Sequence, residues 1–308
     1  MTLLIFSYNR ALQLQTLLSS LLAYLQVDAP YSIHVLYAAD NDDYQAGYEQ
    51  VVRAYPQIQF HRERRQHKWA WPLVTRYWKN LYRYLTHSSL RRTTNFKSLT
   101  EQIIANSPHE GVLFLTDDSL FTRPVLIDRV RLNTVLGDSL HRYTLSLRHG
   151  LSLRPLPINI EADKTGGHVW RIEPNLVDLG HWTWRFSVDG HLYTRQALLP
   201  VLRRLNYANP NSLEGFVNEY ISTVQPHLYS TLFFDAQPSL VGFILNKVQT
   251  YNGNRSFDIA PAYLNAKMLA GYQLRYHYQE PVTDFQPELE AVELYDPATG
   301  EQEVLKTA

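Results

Sequence analysis

The octapeptide Val112-Leu113-Phe114-Leu115-Thr116-Asp117-Asp118-Ser119 constrains the fold more than any other part of this 308-residue chain. Four apolar residues run without interruption and stop just before two adjacent carboxylates. An unbroken apolar run of strand length is the pattern of a strand buried on both faces, as a central strand of a parallel α/β sheet must be. Open α/β sheets bind their ligands beyond the carboxyl ends of the strands, where Asp117 and Asp118 fall. Adjacent carboxylates repel each other unless a cation neutralises them, and a hard divalent ion carrying phosphate oxygens does this well. The competing reading is an acidic turn after a strand, since Asp and Ser are ordinary turn residues.

The flanking sequence supplies the rest of such a sheet. Leu3 to Phe6 reads as a strand, and Asn9 as the cap of a helix carrying Leu14, Leu17, Leu18, Leu21 and Leu22 at helical spacing. Ser32 to Tyr37 and Ile58 to His61 read as two more strands, separated by an acidic loop (Asp40 to Asp43) and a short helix. Leu99, Ile103 and Ile104 suit a helix leading into Val112. Pro124 is placed to open another helix, and Tyr143 to Leu147 reads as a strand. Residues 150–180 are irregular. After a helix around Ala197 to Leu205, Asn209-Pro210-Asn211-Ser212 breaks the chain and puts Leu213-Glu214-Gly215 at the opening of the next helix. Alternation of this kind predicts a single Rossmann-like α/β/α sandwich with a mostly parallel central sheet. The expected limits are a main domain over residues 1–270, divided near 119, and an acid-rich tail over 271–308 with a hairpin around Asp296 to Gly300.

Global charge narrows the function. The formal net charge is zero, which gives no reason to expect nucleic acid as a partner. The absence of cysteine excludes disulfides, thiolate metal sites and a cysteine nucleophile. The apolar start is too short for a signal peptide and no window reaches membrane-span length, so a cytoplasmic protein is expected. One segment departs from neutrality. Arg62 to Lys97 holds ten cations against the single acid Glu63, interleaved with Trp69, Trp71, Tyr77, Trp78, Tyr82 and Tyr84. Its spacing predicts an amphipathic helix starting near Pro72. Either the aromatic face packs on the sheet with a solvated basic face, or the segment contacts phosphate, an anionic acceptor or a membrane surface at its periphery.

Five motifs in order resemble a nucleotide-sugar-dependent glycosyltransferase of the GT-A fold, in particular small bacterial family-2-like enzymes. They are Phe6-Ser7-Tyr8-Asn9-Arg10, Leu115-Thr116-Asp117-Asp118, Ser146-Leu147-Arg148, Ser187-Val188-Asp189-Gly190-His191, and Asn209 to Gly215. The acidic signature of that family is usually written Asp-any-Asp, and here the two Asp are adjacent. The resemblance implies a hexosyl- or hexosaminyltransferase acting from a nucleoside-diphosphate sugar on a glycan, lipid-linked or protein hydroxyl. It implies that Ser7, Tyr8 and Arg10 lie against the nucleoside, with Asp117 on the ribose side and also near the metal. Asp118 would be the main contact for Mg²⁺ or Mn²⁺, with Lys97 and Arg148 adding positive charge at the diphosphate. Glu214 would be the base of an inverting transfer, with Asp189 as second choice or as a partner for a sugar hydroxyl. His227 and His277 are the late histidines available as a further metal ligand. Two other readings stay open. A sugar nucleotidyltransferase is disfavoured by the absence of glycine in Ser7-Tyr8-Asn9-Arg10, and a non-catalytic nucleotide-sugar or glycan-binding module is allowed by the same fold.

Overall fold

A computed structural model describes residues 1–69, 77–87, 90, 92–172, 179–247 and 256–306. Its core is a nine-stranded sheet. Across the sheet the order is Glu161–Ala162, His168–Arg171, Thr231–Phe234, Tyr143–Ser146, His191–Thr194, Gly111–Thr116, Thr2–Tyr8, Ser32–Ala38 and Gln59–Arg62. Seven of these strands run in one direction; only His168–Arg171 and His191–Thr194 run against them. The mostly parallel α/β sandwich expected from the sequence is therefore present.

Why the central strands read as unbroken apolar runs is visible in their alternation. Leu3, Ile5, Val35, Leu113 and Leu115 point into one core, packed by helices Ala11–Tyr24 and Asp42–Ala54 through Leu14, Leu17, Tyr48 and Val51. Leu4, Phe6, Leu36, Val112 and Phe114 point into the other, packed by helices Phe96–Asn106, Arg195–Arg204 and Pro210–Val224. Both faces are covered, so neither set of alternate residues can be polar. Each fully buried side chain of this size contributes about 1.5–3 kcal/mol, well above the few tenths that separate helix propensities. Packing therefore decides where the helices lie.

The chain order creates a crevice. From Thr2–Tyr8 the chain moves outward through Ser32–Ala38 and Gln59–Arg62, then returns to place Gly111–Thr116 on the other side of the first strand. This reversal is a topological switch point, and loops leaving the two strands there diverge to opposite faces. Asp117 follows one strand and Arg10 the other. The reversed strand His191–Thr194 begins at the same end of the sheet, because it runs antiparallel to Gly111–Thr116 with His191 opposite Phe114. Asp189 is thereby brought beside the acidic pair.

Several local expectations are revised. Asn9 does not cap the first helix; Arg10 holds the N-cap position without a side-chain cap bond. Asn9 instead adopts φ 54°, a left-handed conformation that Asn tolerates, and exchanges two hydrogen bonds with Asp40. Pro124 opens no helix: Val125–Ile127 is a strand paired with Leu25–Val27, and the helix starts at Arg129 under an Asp128 cap. The Arg62–Lys97 segment contains the helix Lys79–Thr86, while residues 70–76, including Trp71 and Pro72, lie outside the described residues. Residues 273–306 form a three-stranded antiparallel sheet: the hairpin expected around Asp296 to Gly300 joins Leu289–Tyr295 to Gln302–Lys306, and Gln273–Tyr278 adds a third strand to it. Leu274, Val292 and Leu294 of this sheet are buried in the same core as Leu3 and Ile5.

Candidate active site

Arg10 is the hub of the crevice. Its Nη1 donates to Asp117 Oδ1 at 3.0 Å and to Asp118 Oδ2 at 3.1 Å. Its Nε donates to Asn246 Oδ1 at 2.7 Å, and Nη2 to the Asn246 carbonyl. Burial works against the guanidinium's charge, but the two carboxylates outweigh it and push its pKa up. The cation that adjacent carboxylates demand is thus partly supplied from within the chain.

Asp117 is fully engaged. Its Oδ2 accepts the Ser7 hydroxyl at 2.8 Å and the Tyr8 backbone N–H at 3.1 Å. The Tyr48 hydroxyl supports this loop, lying 2.6 Å from Ser7 Oγ and accepting the Arg10 N–H at 3.1 Å. Burial pushes the Asp117 carboxyl up to about 6; Arg10 opposes that shift and Asp118 adds to it. Asp118 differs. Its side chain keeps 20% of its surface exposed, and among the described residues only one of its oxygens carries a hydrogen bond.

A divalent cation is tested by these bonds. Asp118 has an oxygen available and faces solvent, so it fits a single contact to an ion that arrives with phosphate oxygens. Asp117 carries three hydrogen bonds on its two oxygens and is buried, so it fits an ion less well than Asp118 does. Among the described residues no group of three His, Cys, Asp or Glu is arranged to hold a metal. His277 pairs with Glu293 at 3.0 Å on the C-terminal sheet, and the hydroxyl of Ser230 is bonded to the His227 carbonyl.

The second half of the site is joined to the first through Ser119, the residue after Asp118. Its hydroxyl donates to Asp189 Oδ1, while Arg148 Nη1 donates to Oδ2. Burial raises the Asp189 pKa; Arg148 opposes this and Asp118 adds to it. Arg148 also donates through Nη2 to the Phe285 carbonyl, so the C-terminal segment anchors the guanidinium.

Glu214 lies next along the same wall. The Asn209 side chain accepts the Ser212 N–H at 2.8 Å while Ser212 Oγ accepts the Asn209 N–H at 3.1 Å, a reciprocal cap, and Pro210 takes the first helical position. The helix therefore starts at Pro210 and Glu214 falls in its second turn, too far in for the helix dipole to explain an acid there. Its Oε1 accepts the Val188 N–H at 3.3 Å, and the Ser187 hydroxyl also bonds the carboxylate. Burial pushes Glu214 up to about 7, and the nearby Asp189 charge adds to the shift. A carboxyl that titrates near neutrality can take a proton from an alcohol and release it again.

No protein-family model and no curated protein matches this chain. Among solved structures it is similar to S. aureus TarS, with a TM-score of 0.41 and 12% identity, over 87% of this chain and 42% of that one. S. aureus TarS 1-349 in complex with UDP aligns with a TM-score of 0.38 and 12% identity, over 78% of this chain and 59% of that one. The complex of TarS 1-349 with UDP-GlcNAc aligns with a TM-score of 0.40 and 11% identity, over 88% and 71%. This chain spans less than half the length of the first of these structures.

Ser7, Arg10, Asp117, Asp118, Arg148, Asp189 and Glu214 are thus linked in one wall, while Lys97 is not brought to it. Lys97 Nζ bonds Glu101 and the Leu202 carbonyl and lies 4.7 Å over the Tyr207 ring. Tyr8 donates its hydroxyl to Asp40, and Arg65 covers its ring at 3.9 Å. Asn246 grips Arg10, and residues 248–255 lie outside the described residues. Sequence reasoning assigned no role to Tyr48, Asp40 or Ser119. Asp40 carried a usable signal, since it follows the strand Ser32–Ala38 at the same sheet end as Asp117. Tyr48 carried none; only the folded topology brings a mid-helix tyrosine under Ser7.

Proposed function

We propose that this chain is a glycosyltransferase that moves a sugar from a nucleoside-diphosphate sugar to a hydroxyl acceptor, with inversion. The observation that carries the reading is a carboxyl pushed toward neutrality, Glu214, joined through Ser187, Asp189 and Ser119 to the acidic pair at the switch point of the sheet. Glu214 takes the proton as the acceptor oxygen attacks the anomeric carbon. The new C–O bond forms on one face of the sugar while the bond to the diphosphate breaks on the other, and the electron pair leaves with the diphosphate.

Asp189 is the weaker choice of base, because both its oxygens are already engaged by Ser119 and Arg148. It suits holding Arg148 and a sugar hydroxyl. Ser7, Tyr8 and Arg10 face the nucleoside, and the rigid Asp117 suits a ribose contact. Asp118 would hold Mg²⁺ or Mn²⁺, which when bound would neutralise the leaving diphosphate. Donor and acceptor are tested together by purified protein with a panel of nucleotide sugars, with and without Mn²⁺. A matching donor is expected to raise the melting temperature, since it binds only the folded state. Glu214→Gln is expected to keep that donor-induced rise and to lose about 10²–10⁴-fold in transfer rate. If Glu214→Gln transfers at the wild-type rate and Asp189→Asn does not, the two roles are exchanged. A product with the donor's own anomeric configuration would exclude the single-base mechanism for both.

A further inference from the structure

The helix Lys79–Thr86 is turned the wrong way for a helix of a water-soluble domain. An ordinary surface helix puts its apolar stripe inward and its charges outward. Here Asn80 and Arg83 are buried, Asn80 Nδ2 donates to the Arg204 carbonyl at 3.0 Å, and Lys79 and Arg83 both pair with Glu219. Arg83 also lies 4.2 Å over the Phe216 ring, and Tyr77 meets Tyr220 at 5.3 Å. What remains outside is apolar. Trp78, Leu81, Tyr82 and Leu85, at the i, i+3, i+4, i+7 spacing of a single face, are 72%, 45%, 65% and 64% exposed.

We propose that this face docks on an anionic lipid surface. Three observations select that occupant. First, its composition is that of an interfacial helix: Leu for the acyl boundary, Trp and Tyr with apolar bodies and polar tips for the headgroup level. Second, the sign of charge fits. Of the ten cations from Arg62 to Lys97, four are tied to acids in the structure: Arg65 to Glu63, Lys79 and Arg83 to Glu219, and Lys97 to Glu101. The segment holds Glu63 as its single acid, and Arg62 and Arg64 are exposed. Third, the same excess opposes a second copy of this chain as occupant, because a two-fold interface would set one cation-rich segment against its twin. Docking here would set the domain on the membrane by a surface separate from the acidic crevice, and it suits a lipid-linked acceptor.

The test is co-sedimentation of the whole chain, without any nucleotide sugar, with vesicles of equal parts phosphatidylglycerol and phosphatidylcholine. Wild type is expected to bind at low salt and to bind less as salt screens the attraction. Trp78→Ser with Leu85→Ser is expected to lower partitioning by about tenfold or more, since two large apolar groups no longer insert. Ile158→Ser, at a residue 91% exposed elsewhere, is expected to change nothing. The substituted side chains face solvent, so an unchanged melting curve would show that the fold is intact. The proposal is overturned if wild type ignores these vesicles at low salt, or if the double variant binds as wild type does. It is equally overturned if wild type self-associates, the double variant does not, and neither binds lipid, which would assign the face to a second copy. Because no donor is present, none of these results depends on the sugar-transfer reading.

Discussion

Glu214 stores a conflict that pH can read out. Between the ordinary glutamate value of about 4.3 and its folded value of about 7, the native chain keeps a proton that the unfolded chain has released. Raising pH through that window therefore destabilises the fold. Glu214→Gln removes the conflict, and the variant is expected to melt above wild type at pH 8 and to lose that advantage below about pH 4.5. The difference is at most about 4 kcal/mol, checked by thermal melts across the range. The base role proposed for Glu214 needs the deprotonated form, so it predicts the opposite trend for activity: the rate is expected to rise with pH through about 7. Arg10 is a different case. Arg10→Ala leaves a buried Asp117 without its cation, and a loss of about 3–5 kcal/mol in urea unfolding is expected. Asp118→Asn, at a more exposed group, is expected to keep the fold and abolish the proposed metal-dependent binding of a nucleoside diphosphate. Calorimetry with Mn²⁺ and with EDTA checks this, and equal wild-type affinity in both would assign the phosphate charge to arginine and lysine alone.

At the level of elements, what could be read from the sequence was whatever is encoded over a few consecutive residues. Val112 to Asp118 announced both a doubly covered strand and its acidic end, and both are there. Asn209-Pro210-Asn211-Ser212 was legible as a break, yet the break is itself the first turn of the helix, which moves Glu214 one turn inward. Asn9 resembled a cap because capping is a local rule, but Asp40, 31 residues away, takes its amide. Lys97 stood out by charge alone and is satisfied by a local partner one helical turn on. The bonds that join the two halves of the site, Ser119 to Asp189 and Arg10 to Asn246, span distances in sequence over which no periodicity carries information. Gly190 couples an element to the site directly. It adopts φ 73°, and a Cβ there would lie 2.6 Å from Leu240 Cδ2 and 3.0 Å from Arg148 Cγ. Gly190→Ala is expected to lower stability by about 1–3 kcal/mol in urea melts and to weaken donor binding by shifting Arg148 off Asp189.

Across the whole molecule, the segment beyond residue 270 is a structural part of the site. Its acid content masked a strand that buries Leu289, Val292 and Leu294, and a register irregularity opposite His277 and Tyr278 breaks the period-2 alternation that would have announced it. Val282 and Phe285 offer their carbonyls to Ser152 and Arg148 from above the crevice. A chain truncated after residue 270 is expected to expose Leu3 and Ile5's core partners, bind a hydrophobic dye and lose cooperative melting, as calorimetry would show. The Phe285 carbonyl that steadies Arg148 lies 137 residues along the chain from it, so this part of the wall closes like a clasp: the guanidinium that holds Asp189 is fixed only once the segment carrying Phe285 has docked. Whatever loosens that segment frees Asp189 first, while Asp117, held by Arg10, Ser7 and the Tyr8 backbone, keeps its partners.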